Sequence, residues 1–204
     1  ASTSRPVDFM LMQELVGSSQ LEVLADSIWT DHCYGQNALY DDQHHGNAIL
    51  SRYPIKKWEN EDLSLDKWEQ RGLLHGEIPL PNNKILHVFN VHLNLLHGDR
   101  VKQVEQVIAR YLKMIPGDAP FILAGDFNDW SKELSQYLEN QLGLFECHKR
   151  LKNSYAKTFP NFLPFLSLDR IYAKNITPIS IETLSTSPWN SLSDHLPLFL
   201  EFEV

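Results

Sequence analysis

Glu14 closes an apolar run, Val7–Glu14 (VDFMLMQE). A carboxylate so placed suits a hard cation, because magnesium-like ions prefer oxygen donors and often take only one or two carboxylates. A surface glutamate where a strand meets water reads the same way. Gly125-Asp126-Phe127-Asn128 follows another short apolar run and offers more. The glycine permits a sharp backbone turn, Asp126 can orient or deprotonate a water, and Asn128 can donate to a phosphate oxygen. A plain turn, for which Gly, Asp and Asn are common, competes with that reading. Ser193-Asp194-His195 precedes the last apolar segment. Neighbouring side chains on an extended chain face opposite ways. The two can then serve different roles, Asp194 facing a metal and His195 a phosphoryl group, but a lone Asp-His pair is more often a strand-entry turn.

Leu168-Asp169-Arg170 places a carboxylate at a strand start. Such a carboxylate can hold a histidine in one tautomer and stabilise its protonated ring; the bland reading is an Asp169–Arg170 salt bridge. His92 shares a predicted strand face with Asn90 and can donate to an anion, or it is a satisfied core histidine. His44-His45 sit in an acidic loop, Trp58 and Trp68 flank a charged stretch, and Phe159–Leu168 (FPNFLPFLSL) is apolar and Pro-broken. The last of these suits either a hydrophobic substrate lip or ordinary packing.

Most of these groups fall at strand ends, which mount a side chain rigidly. Strands are expected at Val7–Glu14, Ala38–Tyr40, Asn47–Ser51, Arg71–Ile78, Ile85–Leu93, Phe121–Gly125, Leu168–Ala173 and Pro197–Val204. In Ile85–Leu93, alternation puts Val88, Asn90 and His92 on one face and Phe89, Val91 and Leu93 on the other. Leu21, Leu24, Ala25 and Ile28 have helical spacing. A second helix, Arg100–Met114, is expected with Asp99 as its cap and Val101, Val104, Ile108, Tyr111 and Leu112 as its apolar stripe. A short one follows near Lys132–Leu142, and Trp58–Trp68 reads as irregular.

The chain of 204 residues is 43% hydrophobic and 22% charged, which excludes a disordered tail and leaves one domain, 1–204, without repeats or linkers. No apolar run approaches the ~20 residues of a bilayer crossing. Two distant cysteines, Cys33 and Cys147, read as free buried thiols of a reducing compartment. The net charge of −8 argues against a basic nucleic-acid stripe, but leaves room for a cation held by clustered acids to meet an anionic substrate.

Together, Met12-Gln13-Glu14, Asn47-Ala48-Ile49-Leu50-Ser51-Arg52, Asn90-Val91-His92-Leu93, Gly125-Asp126-Phe127-Asn128, Leu168-Asp169-Arg170 and Ser193-Asp194-His195 resemble the endonuclease/exonuclease/phosphatase superfamily, from Val7 to the C-terminus. Arg100 and Gln103 fit as well, and Arg71-Gly72-Leu73-Leu74 looks most like small bacterial members of undefined substrate. The resemblance implies an α/β (α+β) four-layer α/β/β/α sandwich of two mainly antiparallel sheets with outer helices. It implies Mg²⁺, or Mn²⁺, held by Glu14 with Asp194. Asp126 would activate the water, Asn128 and His92 would hold the scissile phosphate, and His195 with its partner Asp169 would stabilise the developing charge. Asn47, Arg71 and Arg100 would meet the substrate. Family members open with a strand bearing an asparagine, then a helix, before the Gln-Glu strand. Here that strand begins at residue 7, so the chain reads as N-terminally truncated relative to the family, with its first strand missing.

The expected function is hydrolysis of a phosphodiester, in a nucleic acid backbone or a small molecule, by in-line water attack. Two alternatives stand beside it: a phospholipid (sphingomyelinase-like) or inositol phosphate hydrolase, and a catalytically inactive binding domain of the same fold. A cytoplasmic monomer without an obligate protein partner is expected.

Overall fold

A computed structural model describes residues 6–17, 21, 28–40, 43–66 and 69–204. Its centre is a six-stranded sheet. Strands β4 (Lys57–Asp62), β5 (Gly72–Pro79), β6 (Ile85–His92), β7 (Phe121–Asp126), β8 (Phe145–Glu146) and β9 (Asp169–Lys174) lie in the order β4-β5-β6-β7-β9-β8. Only β6 and β7 pair in parallel. A parallel pair cannot be joined by a tight turn, and helix α1 (His97–Met114) makes the crossover. Helices α2 (Glu133–Leu142) and α3 (Cys147–Lys152) follow β7 and β8.

The opposing layer has two parts. Strands β1 (Phe9–Val16) and β2 (Asp31–Tyr40) flank β3 (Gln43–Ser51), and β10 (Thr177–Thr183) pairs with β11 (Leu198–Glu203). Between the layers lies an apolar core in which Phe9, Leu11, Ile49, Leu200 and Phe202 meet Leu74, Val88, Ile122 and Ala173. Phe89, Val91, Leu123 and Tyr172 project from the other face of the large sheet and pack on Val104, Ile108, Tyr111, Leu134 and Leu138 of α1 and α2. The alternation expected for β6 is thus realised, one face for each core. Leu21, Trp29, Met10 and Met12 make a third cluster on the outer side of the small sheet. The chain is therefore the layered sandwich expected, with mainly antiparallel sheets. Cys33 and Cys147 are free and buried.

Several local expectations need correction. Asp99 does not cap α1: Leu96 holds the N-cap position without a side-chain hydrogen bond, and Asp99 lies within the first turn. Residues 57–62 form a strand, not an irregular stretch. This strand is charged because it is an edge strand, where charge discourages pairing with another chain. Polar β2 begins well before Ala38, and β8, α3 and β10 carried too little periodicity to be expected. Leu24 and Ala25 of the first expected helix, and Trp68, lie outside the described residues. No described helix is long and apolar enough to cross a membrane.

Candidate active site

Three neighbouring strands deliver three polar residues in a row. His92 ends β6 opposite Asp126, which ends β7, and Asp126 stands opposite Asp169, which begins β9. Asp169 accepts from His195 Nδ1 at 2.8 Å. His92 Nε2 lies 3.6 Å from Asp126 Oδ2, and His92 Nδ1 lies 3.7 Å from Glu14 Oε1 on the facing sheet. Residues separated widely in sequence therefore converge at one end of the sandwich.

The backbone aims them. Between Met12 and Leu15 the register of β1 against β3 shifts by one residue, a bulge containing Gln13 and Glu14. A bulge re-aims side chains, and here Glu14 takes a left-handed φ of 55° with its side chain 68% exposed. Gln13 Nε2 donates to Asn90 Oδ1 at 2.6 Å, and Asn90 Nδ2 donates to Met12 O and Ala48 O, both at 2.9 Å. Asn90 thus ties the two sheets together beneath the site. Gly125 has φ 142° and lies so close to β6 that a Cβ would fall 1.9 Å from Val91 O; only glycine fits. Asn128 also holds a left-handed φ, 49°. Such strain in non-glycine residues costs on the order of 1–3 kcal/mol and persists where surroundings enforce it. Its backbone N–H donates to Asp126 Oδ1 at 2.9 Å and its Nδ2 to Leu93 O at 2.9 Å.

Electrostatics divide the roles. Burial and the facing Asp169 carboxylate push Asp126 up to about 7, against the N–H of Asn128. His195 moves up to about 9: burial opposes its charge, but the hydrogen bond and charge of Asp169, with Asp126 and Asp194, prevail. Burial, then the charges of Arg71 and His195, hold His92 down at about 3. The site therefore contains a neutral imidazole, a protonated imidazole and a carboxyl group poised near neutrality. Glu14 and the facing carboxylates Asp126 and Asp169 make an acidic rim around His92, and a hard cation held beside it would relieve their repulsion. Donor atoms of Asp126, Asp169 and His195 all lie within 4.8 Å of one another.

Other expected residues fall less simply. Asp194 is exposed; its carboxylate accepts from Ser193 Oγ, and its charge reaches His195, while no described contact joins it to Glu14. Arg71 and Asn47 line a depression with Glu14, His45 and His92. Asn47 is buried and donates to Gly72 O at 3.0 Å and Asn90 O at 3.4 Å, so its amide is engaged with backbone. Arg100, expected on the substrate, is instead 1% exposed; it donates to Asn94 O and Leu95 O and stacks on Trp130. A guanidinium so committed buttresses the loop after β6.

The salt bridge weighed for Asp169 goes elsewhere. Arg170 pairs with Asp129 at 3.0 Å, both fully buried, and also reaches Ser135 and Tyr172. Asp129 in turn accepts from Lys132 N at 3.1 Å and Leu134 N at 3.2 Å. It holds the segment after Asn128 onto α2, and this freedom from Arg170 leaves Asp169 to His195. Sequence reasoning missed Thr158 as well, whose Oγ1 accepts from Asp169 N at 3.4 Å. A lone threonine carries no signal of that kind.

Residues 2–195 match the endonuclease/exonuclease/phosphatase family. The chain is 40% identical over 212 residues to "Uncharacterized protein YbhP" of Escherichia coli K12, covering 97% of this chain and 83% of that one. Danio rerio TDP2 complexed with single strand DNA product is similar in structure, with TM-score 0.76 and 19% identity over 97% of this chain and 86% of that one. Bacteroides thetaiotaomicron mannosyl-6-phosphatase Bt3783 gives TM-score 0.77 and 19% identity over 97% and 85%. These two structural likenesses concern the fold alone.

Proposed function

The chain belongs to the endonuclease/exonuclease/phosphatase family, whose members are hydrolases of phosphoester bonds, and on that premise we propose that it is a divalent-metal-dependent phosphodiesterase. The observation that carries the proposal is the row His92–Asp126–Asp169, closed by His195 and faced by Glu14.

Glu14, with Asp194, is the proposed holder of Mg²⁺ or Mn²⁺. A bound divalent ion would supply Lewis-acid stabilisation of charge on phosphate oxygens. The remaining work falls to the chain. Asp126, poised near neutrality, takes the proton of the attacking water. His195, protonated and fixed through Nδ1 by Asp169, presents Nε2–H to the phosphate as charge builds. His92, neutral, binds phosphate as a hydrogen-bond donor. Asn128 gives one amide hydrogen to Leu93 O and keeps the second for a phosphate oxygen. Arg71, whose buried Nε has no hydrogen-bond partner, brings positive charge to the substrate side.

A nucleic acid backbone or a small diester fits this arrangement. One observation favours phospholipid as a second reading: Phe162, Leu163 and Phe165 are 83%, 68% and 61% exposed. Neighbouring Asn161 ties this lip to the site loop, donating to Asp194 O at 2.8 Å and to Ser193 O at 2.6 Å. The test is a substrate panel of plasmid DNA, single-stranded DNA, RNA, phospholipids and bis-p-nitrophenyl phosphate, with Mg²⁺, Mn²⁺ or EDTA. EDTA-sensitive turnover of a diester is expected. Failure to hydrolyse any substrate would point to the inactive binding domain instead.

A further inference from the structure

His87 stands at the opposite end of β6 from His92, about 16 Å away along the strand. Its side chain lies on the α1 face of the sheet, where β5 supplies His75 and Glu77. Glu77 is directly across from His87, and His75 is two residues back on the same face. The imidazoles meet with His75 Nε2 3.1 Å from His87 Nδ1, and they are only 2% and 6% exposed. One donor atom from each of His75, Glu77 and His87 lies within 4.8 Å of the other two.

The surroundings match a ligand set. Two ligands each about 2.05 Å from one zinc ion are about 2.9 Å apart at a right angle and about 3.4 Å apart in a tetrahedron. The observed 3.1 Å falls between. Behind His75, Glu59 Oε1 lies 3.6 Å from Nδ1 and lacks a hydrogen-bond partner. A carboxylate on the far nitrogen of a ligating histidine fixes its tautomer. Arg110 of α1 holds Glu59 and also Glu61, the latter at 2.9 Å. Lys57 approaches Glu77 only to 3.9 Å. Three carboxylates against two cations leave the cluster one negative charge in excess.

We propose that His75, Glu77 and His87 form a second metal site, for a zinc-like transition ion, which clamps strand β5 to strand β6. Three protein ligands leave a coordination position for water. None of these residues takes part in the proposed phosphoesterase chemistry, so this inference stands or falls separately.

The test uses the full chain stripped by chelation, then loaded with Zn²⁺ in equilibrium dialysis or with Co²⁺ monitored by visible absorption, both in excess Mg²⁺. Variants are His87→Gln, Glu77→Gln at the accessible rim, and Glu14→Gln as control. The expected result is a single Zn²⁺ per chain that Glu14→Gln keeps and His87→Gln loses. Glu77→Gln should weaken it at least about tenfold while leaving the melting temperature of the metal-free chain unchanged. Saturating Zn²⁺ should raise the melting temperature by about 5 °C in the unmodified chain and in Glu14→Gln, but not in His87→Gln. Equal binding by the unmodified chain, His87→Gln and Glu77→Gln, or Zn²⁺ lost only with Glu14→Gln, would overturn the site.

Discussion

Asp126 and Asp169 face each other across the antiparallel strands β7 and β9, two carboxylates held in register at the mouth of one site. Their repulsion adds to burial in raising Asp126 to about 7, while Asp169 raises His195 to about 9. One residue therefore raises the proton affinity of both groups, and His195 stays protonated at a pH where Asp126 ionises.

A pH profile of kcat/KM on bis-p-nitrophenyl phosphate should be bell-shaped. Its basic limb, near 9, reports deprotonation of His195, and its acid limb reports Asp126, drawn below 7 when a cation is bound. Asp169→Asn should move the basic limb to lower pH. An unmoved basic limb would remove His195 and Asp169 from their assigned partnership.

Asp126→Asn should separate activity from stability. The folded state holds the Asp126 proton more tightly than the unfolded chain does, about 7 against 3.8. Its favourable contribution is therefore full below about 3.8 and lost as pH rises through about 7. The amide variant should melt higher than the parent at pH 8 without metal, yet lose at least ~10²-fold in rate. A lower melting temperature at pH 8 would contradict the like-charge repulsion.

His195→Ala should also cost at least ~10²-fold in turnover, as removal of a transition-state donor does. The half-buried ring makes a soluble, folded variant the expectation, checked by circular dichroism. Near-parental turnover would end the role proposed for it.

Gly125→Ala should fail structurally. At φ 142° its methyl group would lie 1.9 Å from Val91 O, between two paired strands. The β6–β7 ladder must open or the chain must misfold. Unchanged urea unfolding would show that β7 can shift away from β6.

Arg170→Ala leaves the Asp129 carboxylate without its counter-charge where the pair is 1% and 0% exposed. Loss of about 3–5 kcal/mol in urea unfolding is expected. Combining Arg170→Met with Asp129→Leu should recover part of it, because no charge is then left buried. Additive losses in the double variant would place the stabilisation in the other hydrogen bonds of the two groups.

Nearest-neighbour chemistry is what the amino-acid sequence determined. Alternating residues in Ile85–Leu93 assign Asn90 and His92 to one face, because the pleat makes side-chain direction a property of parity, and the abrupt polar ending at Asp126 marks where β7 stops, whereas β1 runs past Glu14 to Val16. Charged Lys57–Asp62 escaped that logic, since an edge strand need not alternate. Partner choice was decided by the tertiary structure alone. Arg170 takes Asp129 and not its neighbour Asp169; Arg100 is buried against the β6 loop; and His75 meets His87 through the β5–β6 register. Each of these contacts joins residues whose distance is set by sheet register and layer packing, and a through-space interaction energy depends on that distance, not on position along the chain.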